Sequence, residues 1–99
     1  MKNHTTEREL AFEALRILSQ LPSGLITFKA LIPEIESNIR LTQKDRVPSG
    51  TRPQEEKWEQ RVRNITSHRK SSGNYVNRGY LIAVRDGLAI TQKGRAFIS

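Results

Sequence analysis

Residues 53–91, PQEEKWEQRVRNITSHRKSSGNYVNRGYLIAVRDGLAIT, carry an amphipathic helical pattern followed by two short apolar runs around Asp86-Gly87, and this succession decides the fold. Pro53 is suited to a first helical position, and it pushes Arg52 toward an extended conformation. Glu55 and Glu56 then fall in the first turn and Arg69 and Lys70 in the last, where each sign complements the helix dipole, and Gly73 supplies the exit. Trp58, Val62 and Ile65 recur at spacings of four and three and mark the buried side. The opposite side carries Gln60, Arg63, Asn64, Ser67 and Lys70. Beyond a Ser-Ser-Gly-Asn turn, residues 80–84 and 88–91 read as strands. The Asp-Gly pair between them is a hairpin signal, since both turn residues must tolerate positive φ.

Upstream, Leu10, Ala11, Ala14, Leu15, Leu18 and Leu21 recur at helical spacing, with Thr6 and Glu9 placed as a capping box, which predicts a core helix over about residues 7–20. Phe12 and Ile17 widen its apolar face. Leu25 and Ile26 form a brief extended segment. Thr27 can cap a second helix through Phe28, Leu31 and Ile32, and Pro33 allows either a kink or a fresh start carrying Ile35, which predicts a second, broken helix. Residues 40–52 lack periodicity and read as a loop or a short turn-helix mixture, the expected mobile region. Thr91 can cap a last short helix through Ala96, Phe97 and Ile98.

The predicted class is therefore α+β, mainly α, with the element order of a winged helix (a winged helix-turn-helix): helix, short strand, helix, loop, long helix at about 53–70, and a C-terminal two-stranded β-wing at about 79–91. Residues 1–99 suffice for one small domain with a single core. An apolar turn at residues 96–98 fits either a docked terminus or a unit of a longer polypeptide.

Charge follows this order. From Gln60 to Arg85 there are six arginines and lysines and no aspartate or glutamate. Residues 1–50 hold seven basic and six acidic residues and residues 51–99 hold ten and four, so the halves carry +1 and +6 of the total +7. That asymmetry is expected of a face that meets phosphate. On the long helix, Gln60 and Asn64 have the chemistry to read adenine, Arg63 to read guanine and Ser67 to read either base. Arg52, Arg61, His68, Arg69, Lys70, Asn74, Arg78 and the wing residue Arg85 are the candidate phosphate contacts. Roughly four to six such contacts would give a slope of log affinity against log salt of about −4 to −5. The expected partner is double-stranded DNA, bound by a monomer or weak homodimer.

Each assignment has a plainer alternative. Trp58 reads as a core anchor, and Tyr75 and Tyr80 as packing at the wing base. Arg61 and Arg69 lie near the edges of the buried face, where they can snorkel or pair with Glu36 or Glu59. His68 can be a surface or capping residue, and Gln60, Arg63, Asn64 and Ser67 a merely solvated face. Asp45, Glu55 and Lys57 superficially match a nuclease carboxylate-lysine set, but their spacing is loose and they read as ordinary charged residues.

Other classes find no support in the sequence. There is no cysteine, so a disulfide framework and a thiolate zinc site are excluded, and a reducing cytoplasm is the expected compartment. The apolar runs are far short of a membrane span, and residues 1–9 are polar rather than a signal peptide. With His4 and His68 as the only histidines, no HNH-type metal site can be assembled. No catalytic residue, metal site or cofactor is expected in this chain.

Leu41-Thr42, Ser49-Gly50-Thr51-Arg52, Trp58-Glu59-Gln60-Arg61-Val62-Arg63 and Gly87-Leu88-Ala89-Ile90-Thr91-Gln92-Lys93-Gly94-Arg95 together resemble the N-terminal winged-helix domains of Mrr-type and HNH-type restriction endonucleases. The resemblance covers about residues 41–98. It implies a DNA-recognition domain serving a nuclease domain in cis, in a bacterial defence system often directed at DNA carrying modified cytosine. The chain departs from that pattern at Ser67-His68-Arg69-Lys70-Ser71-Ser72-Gly73-Asn74, where relatives commonly have a leucine and a Lys-Lys-Ala-Gly-Leu-type exit. The more polar exit favours a contact role. Two further readings stay open: a free-standing dimeric transcription regulator on half-sites about one helical turn apart, and a winged helix used for protein contact.

Overall fold

A computed structural model describes residues 3–99. Four helices and a three-stranded antiparallel sheet run in the order α1 Glu7–Ser19, β1 Leu25–Thr27, α2 Phe28–Asn38, α3 Lys57–Ser67, β2 Leu81–Val84, β3 Gly87–Ile90 and α4 Gln92–Ile98. The three helix starts at threonine form as their local chemistry dictates. The Thr6 hydroxyl accepts from the Glu9 amide at 3.1 Å while the Glu9 carboxylate accepts from the Thr6 amide at 2.9 Å. Thr27 accepts from Ala30 at 3.2 Å and Thr91 from Gly94 at 2.9 Å. The second helix is continuous where a break is expected: Pro33 lies inside α2, Phe28–Asn38, without ending it.

Two boundaries differ from the sequence expectation. The long helix begins at Lys57, four residues after Pro53, because the preceding loop folds back and caps it. The Lys57 amide donates to the Val47 carbonyl at 2.8 Å and the Trp58 amide to the Asp45 carbonyl at 3.1 Å. Helical N-terminal amides need external acceptors, and here the loop supplies them. Glu55 and Glu56 consequently precede the helix, with Glu56 as its N-cap. At the other end α3 stops at Ser67, and Arg69 and Lys70 lie in the turns beyond it.

The sheet also differs from a free two-stranded ribbon. β1 pairs with β3, giving the order β1-β3-β2, with Ile26 opposite Leu88 and Leu88 opposite Ala83. The hairpin turn is Arg85-Asp86, and Asp86 has a φ of 57°. Gly87 is already inside β3. Its lack of a side chain answers to a different constraint, since a Cβ there would lie 2.1 Å from the Ile26 carbonyl oxygen on β1. The glycine therefore permits the third strand rather than the turn.

One core joins these pieces. Leu10, Ala14, Leu15 and Leu18 of α1 meet Leu31 and Ile35 of α2, Trp58, Val62 and Ile65 of α3, and Leu81 and Leu88 of the sheet, all buried. The expected inward face of α3 is thus the observed one. Among the described residues, no helix is long and apolar enough to cross a membrane.

Candidate nucleic-acid interface

With Trp58, Val62 and Ile65 turned inward, α3 leaves Gln60, Arg63, Asn64 and Ser67 outside, half-buried or exposed. Gln60 and Asn64 form one ladder. The Gln60 amide donates to the Asn64 side-chain oxygen at 3.1 Å, and the Thr51 hydroxyl donates to Gln60 Oε1 at 3.3 Å. The ladder fixes which amide groups remain available and lowers the entropy lost on contact. Ser67 follows at the exposed end of the helix.

Arg63 belongs to the same face but is engaged. Its guanidinium bonds the Glu55 carboxylate at 2.9 Å and lies 5.5 Å from the centre of the Phe28 ring. Arg63, Thr27, Phe28, Lys29 and Asp86 line a concavity of about 350 Å³. The Phe28 amide donates to the Asp86 carbonyl at 2.8 Å, tying the start of α2 to the hairpin tip. These contacts bring the outer side of α3, the first turn of α2 and the hairpin tip onto one surface. Lys29, which sequence reasoning missed, is exposed on it.

The candidate phosphate contacts divide into several groups. Arg61 is committed to the interior: its guanidinium lies 3.0 Å from the carboxylate of Asp45, which is fully buried. Burial by itself would raise the Asp45 pKa. Hydrogen bonds from the Thr42 amide and from the Thr5 amide and hydroxyl outweigh it and hold the group down at about 2. The Thr5 amide and hydroxyl donate at 2.8 and 2.7 Å and the Thr42 amide at 2.9 Å, while Thr42 returns a bond by accepting from the Asp45 amide at 3.2 Å. This network ties residue 5, the loop and α3 together. Its local half was signalled by Thr42-x-x-Asp45, the spacing of a reciprocal capping motif.

His68 bonds Glu7 at 2.8 Å and so joins the end of α3 to the start of α1. Asn74 is a local cap. Its side-chain oxygen accepts from the Val76 and Asn77 amides at 2.7 and 3.1 Å, and its amide donates to the Ile65 carbonyl at 2.9 Å. Arg69 donates to the Thr66 carbonyl at 3.1 Å. Arg52 and Lys70 are exposed and, among the described residues, have no side-chain partner. Arg85 is 98% exposed and stands 4.0 Å from Asp86. Arg78 is not near Arg85: it lines a concavity at the hairpin base with Arg8, Tyr75, Tyr80 and Phe97.

The surface near α3 and the tip therefore offers polar amides, one restrained arginine and exposed cations, with Glu55 and Asp86 as local carboxylates. Among the described residues, no group of three histidine, aspartate or glutamate side chains is arranged to hold a metal ion. The chain matches no protein-family model, no curated protein and no solved structure.

Proposed function

We propose that this chain is a winged-helix module that binds double-stranded DNA, with α3 in the major groove and the β2-β3 hairpin as the flanking wing. One observation carries the reading: Arg63 on the outward face of α3, the first turn of α2 and Asp86 at the hairpin tip line one concavity, with the Phe28 amide bonded to the Asp86 carbonyl. A helix with donor-rich amides beside a flanking hairpin matches the dimensions and chemistry of a major groove. Gln60, Asn64, Ser67 and Arg63 are the base-reading side chains. Lys29, Arg52, Lys70 and Arg85 are the phosphate contacts, and Arg61, His68 and Asn74 hold the scaffold. The resemblance to restriction endonuclease domains supports a role as the recognition part of a nuclease directed at modified DNA, with cleavage performed by another domain.

The test is a mobility-shift titration of duplexes with unmodified and modified cytosine at two salt concentrations. Binding that weakens with salt, with preference for the modified duplex, is the expected result. Absence of duplex binding at low salt would refute the reading in favour of protein contact. A dimer by light scattering on a palindromic site would point to the regulator instead. Replacing Asn64 by alanine should relax preference at one base pair by about 1–3 kcal/mol, whereas Lys70→Ala or Arg85→Ala should weaken all duplexes alike.

A further inference from the structure

The hairpin base carries a second basic surface, separated from the tip by the length of the strands. Two adjoining concavities of about 230 and 210 Å³ share Arg8, Gly73 and Tyr75. The second is completed by Arg78, Tyr80 and Phe97 and has no carboxylate in its lining. In the first, Glu7 is engaged by His68.

Among the described residues, Arg8 and Arg78 make no ion pair or hydrogen bond; burial raises the Tyr75 pKa, and both guanidinium charges oppose that rise. Arg8 is seated by a backbone feature. Gly73 has a φ of +88°, and a Cβ there would come within 2.9 Å of the guanidinium. The glycine leaves room for the arginine to lie against the chain.

Beside these donors stands an aromatic platform. Tyr80 and Phe97 stack at 4.2 Å with an interplanar angle of 11°, and Tyr75 meets both edge-on at 5.3 and 5.8 Å. The Lys93 ammonium lies 5.6 Å from the Tyr80 ring centre. Tyr80 is therefore flanked by Phe97 and Lys93. Phe97 is covered by Tyr80 on one face and remains 46% exposed. Uncommitted guanidinium groups beside a solvent-facing ring match the alternation of phosphate and base along an unpaired strand, in which phosphates meet cations and bases stack on aromatics.

We propose that this groove binds single-stranded nucleic acid, with a backbone phosphate on Arg8 and Arg78 and one base on the open face of Phe97. The site is distinct from the α3 surface and does not depend on duplex recognition there. A protein with both would hold a duplex and an unpaired strand at once.

The test is fluorescence anisotropy of a short labelled oligothymidylate with the intact chain, in parallel with duplex binding. The expected result is that saturating unlabelled duplex leaves the oligonucleotide bound. The Arg8→Ala/Arg78→Ala variant should lose about tenfold in oligonucleotide affinity with duplex affinity unchanged, and Phe97→Leu about fivefold. Thermal melting of the variants separates loss of fold from loss of site, and Arg78→Lys, which keeps the charge, should retain most of the binding. Stoichiometric displacement by duplex would overturn the proposal, as would no change in the double variant. Competition by inorganic phosphate as strong as by thymidine monophosphate would overturn the stacking half. Failure of duplex binding with retained oligonucleotide binding would remove only the α3 reading.

Discussion

Asp45 is a fully buried carboxylate that accepts three hydrogen bonds from Thr5 and Thr42 and pairs with Arg61. Removing it strands an arginine and the Thr5 donors, so Asp45→Ala should cost about 3 kcal/mol in urea unfolding. Because the folded pKa lies at about 2, below the ordinary aspartate value of 3.8, the unfolded chain takes up the proton first. The corresponding stability is fully present above the unfolded pKa and is lost as pH falls through the folded one. Unfolding free energy should therefore drop by about 2 kcal/mol between roughly pH 5 and pH 2, and the Asp45→Ala variant should lack that part of the slope. A slope unchanged in the variant would show that other carboxylates govern the acid limb. The partners of Asp45 at residues 5 and 61 were not legible in the sequence, because the pattern around residue 45 says nothing of chain 40 and 16 positions away.

Helices and strands were more readable where their causes are local. Thr6, Thr27 and Thr91 cap as expected because a cap needs acceptors and donors within a few residues. The start of α3 was misplaced at Pro53 because backbone carbonyls of Val47 and Asp45, which no side-chain pattern reveals, supply the capping acceptors. Gly87 carried a true signal with the wrong cause: its side-chain space is occupied by β1, a tertiary contact, whereas the sequence pointed to a turn. The outward face of α3 was legible from its spacing, but the Glu55 carboxylate on Arg63 was not. That pair yields a prediction for the helix. Glu55→Gln removes a competitor for the guanidinium and a negative charge from the surface, so it should tighten duplex binding several-fold at low salt, an effect that fades as salt rises. Unchanged or weaker binding would mean that Glu55 positions Arg63 for contact instead of restraining it.

Across the whole molecule, the formal charge of +7 is an average over unlike regions. Arg61 neutralises a buried acid, His68 and Asn74 brace turns, and Arg8 and Arg78 face the hairpin base. Counting Lys29, Arg52, Lys70 and Arg85 as the cations free for duplex phosphate, the slope of log affinity against log salt should be about −4, at the shallow end of the range that charge alone suggested. A slope of about −5 to −6 would mean that Arg8 and Arg78 also engage duplex. Bulk charge was visible in the sequence, but its partition into separate surfaces depends on side chains brought together by folding.

Trp58 is the one tryptophan of the chain, 1% exposed, with its indole donating to Glu56 at 2.8 Å just where the loop caps α3. Its emission is thereby an optical gauge of one junction. A blue-shifted signal that persists on adding nucleic acid means that the junction stays closed while the surface works, and a red shift marks its opening.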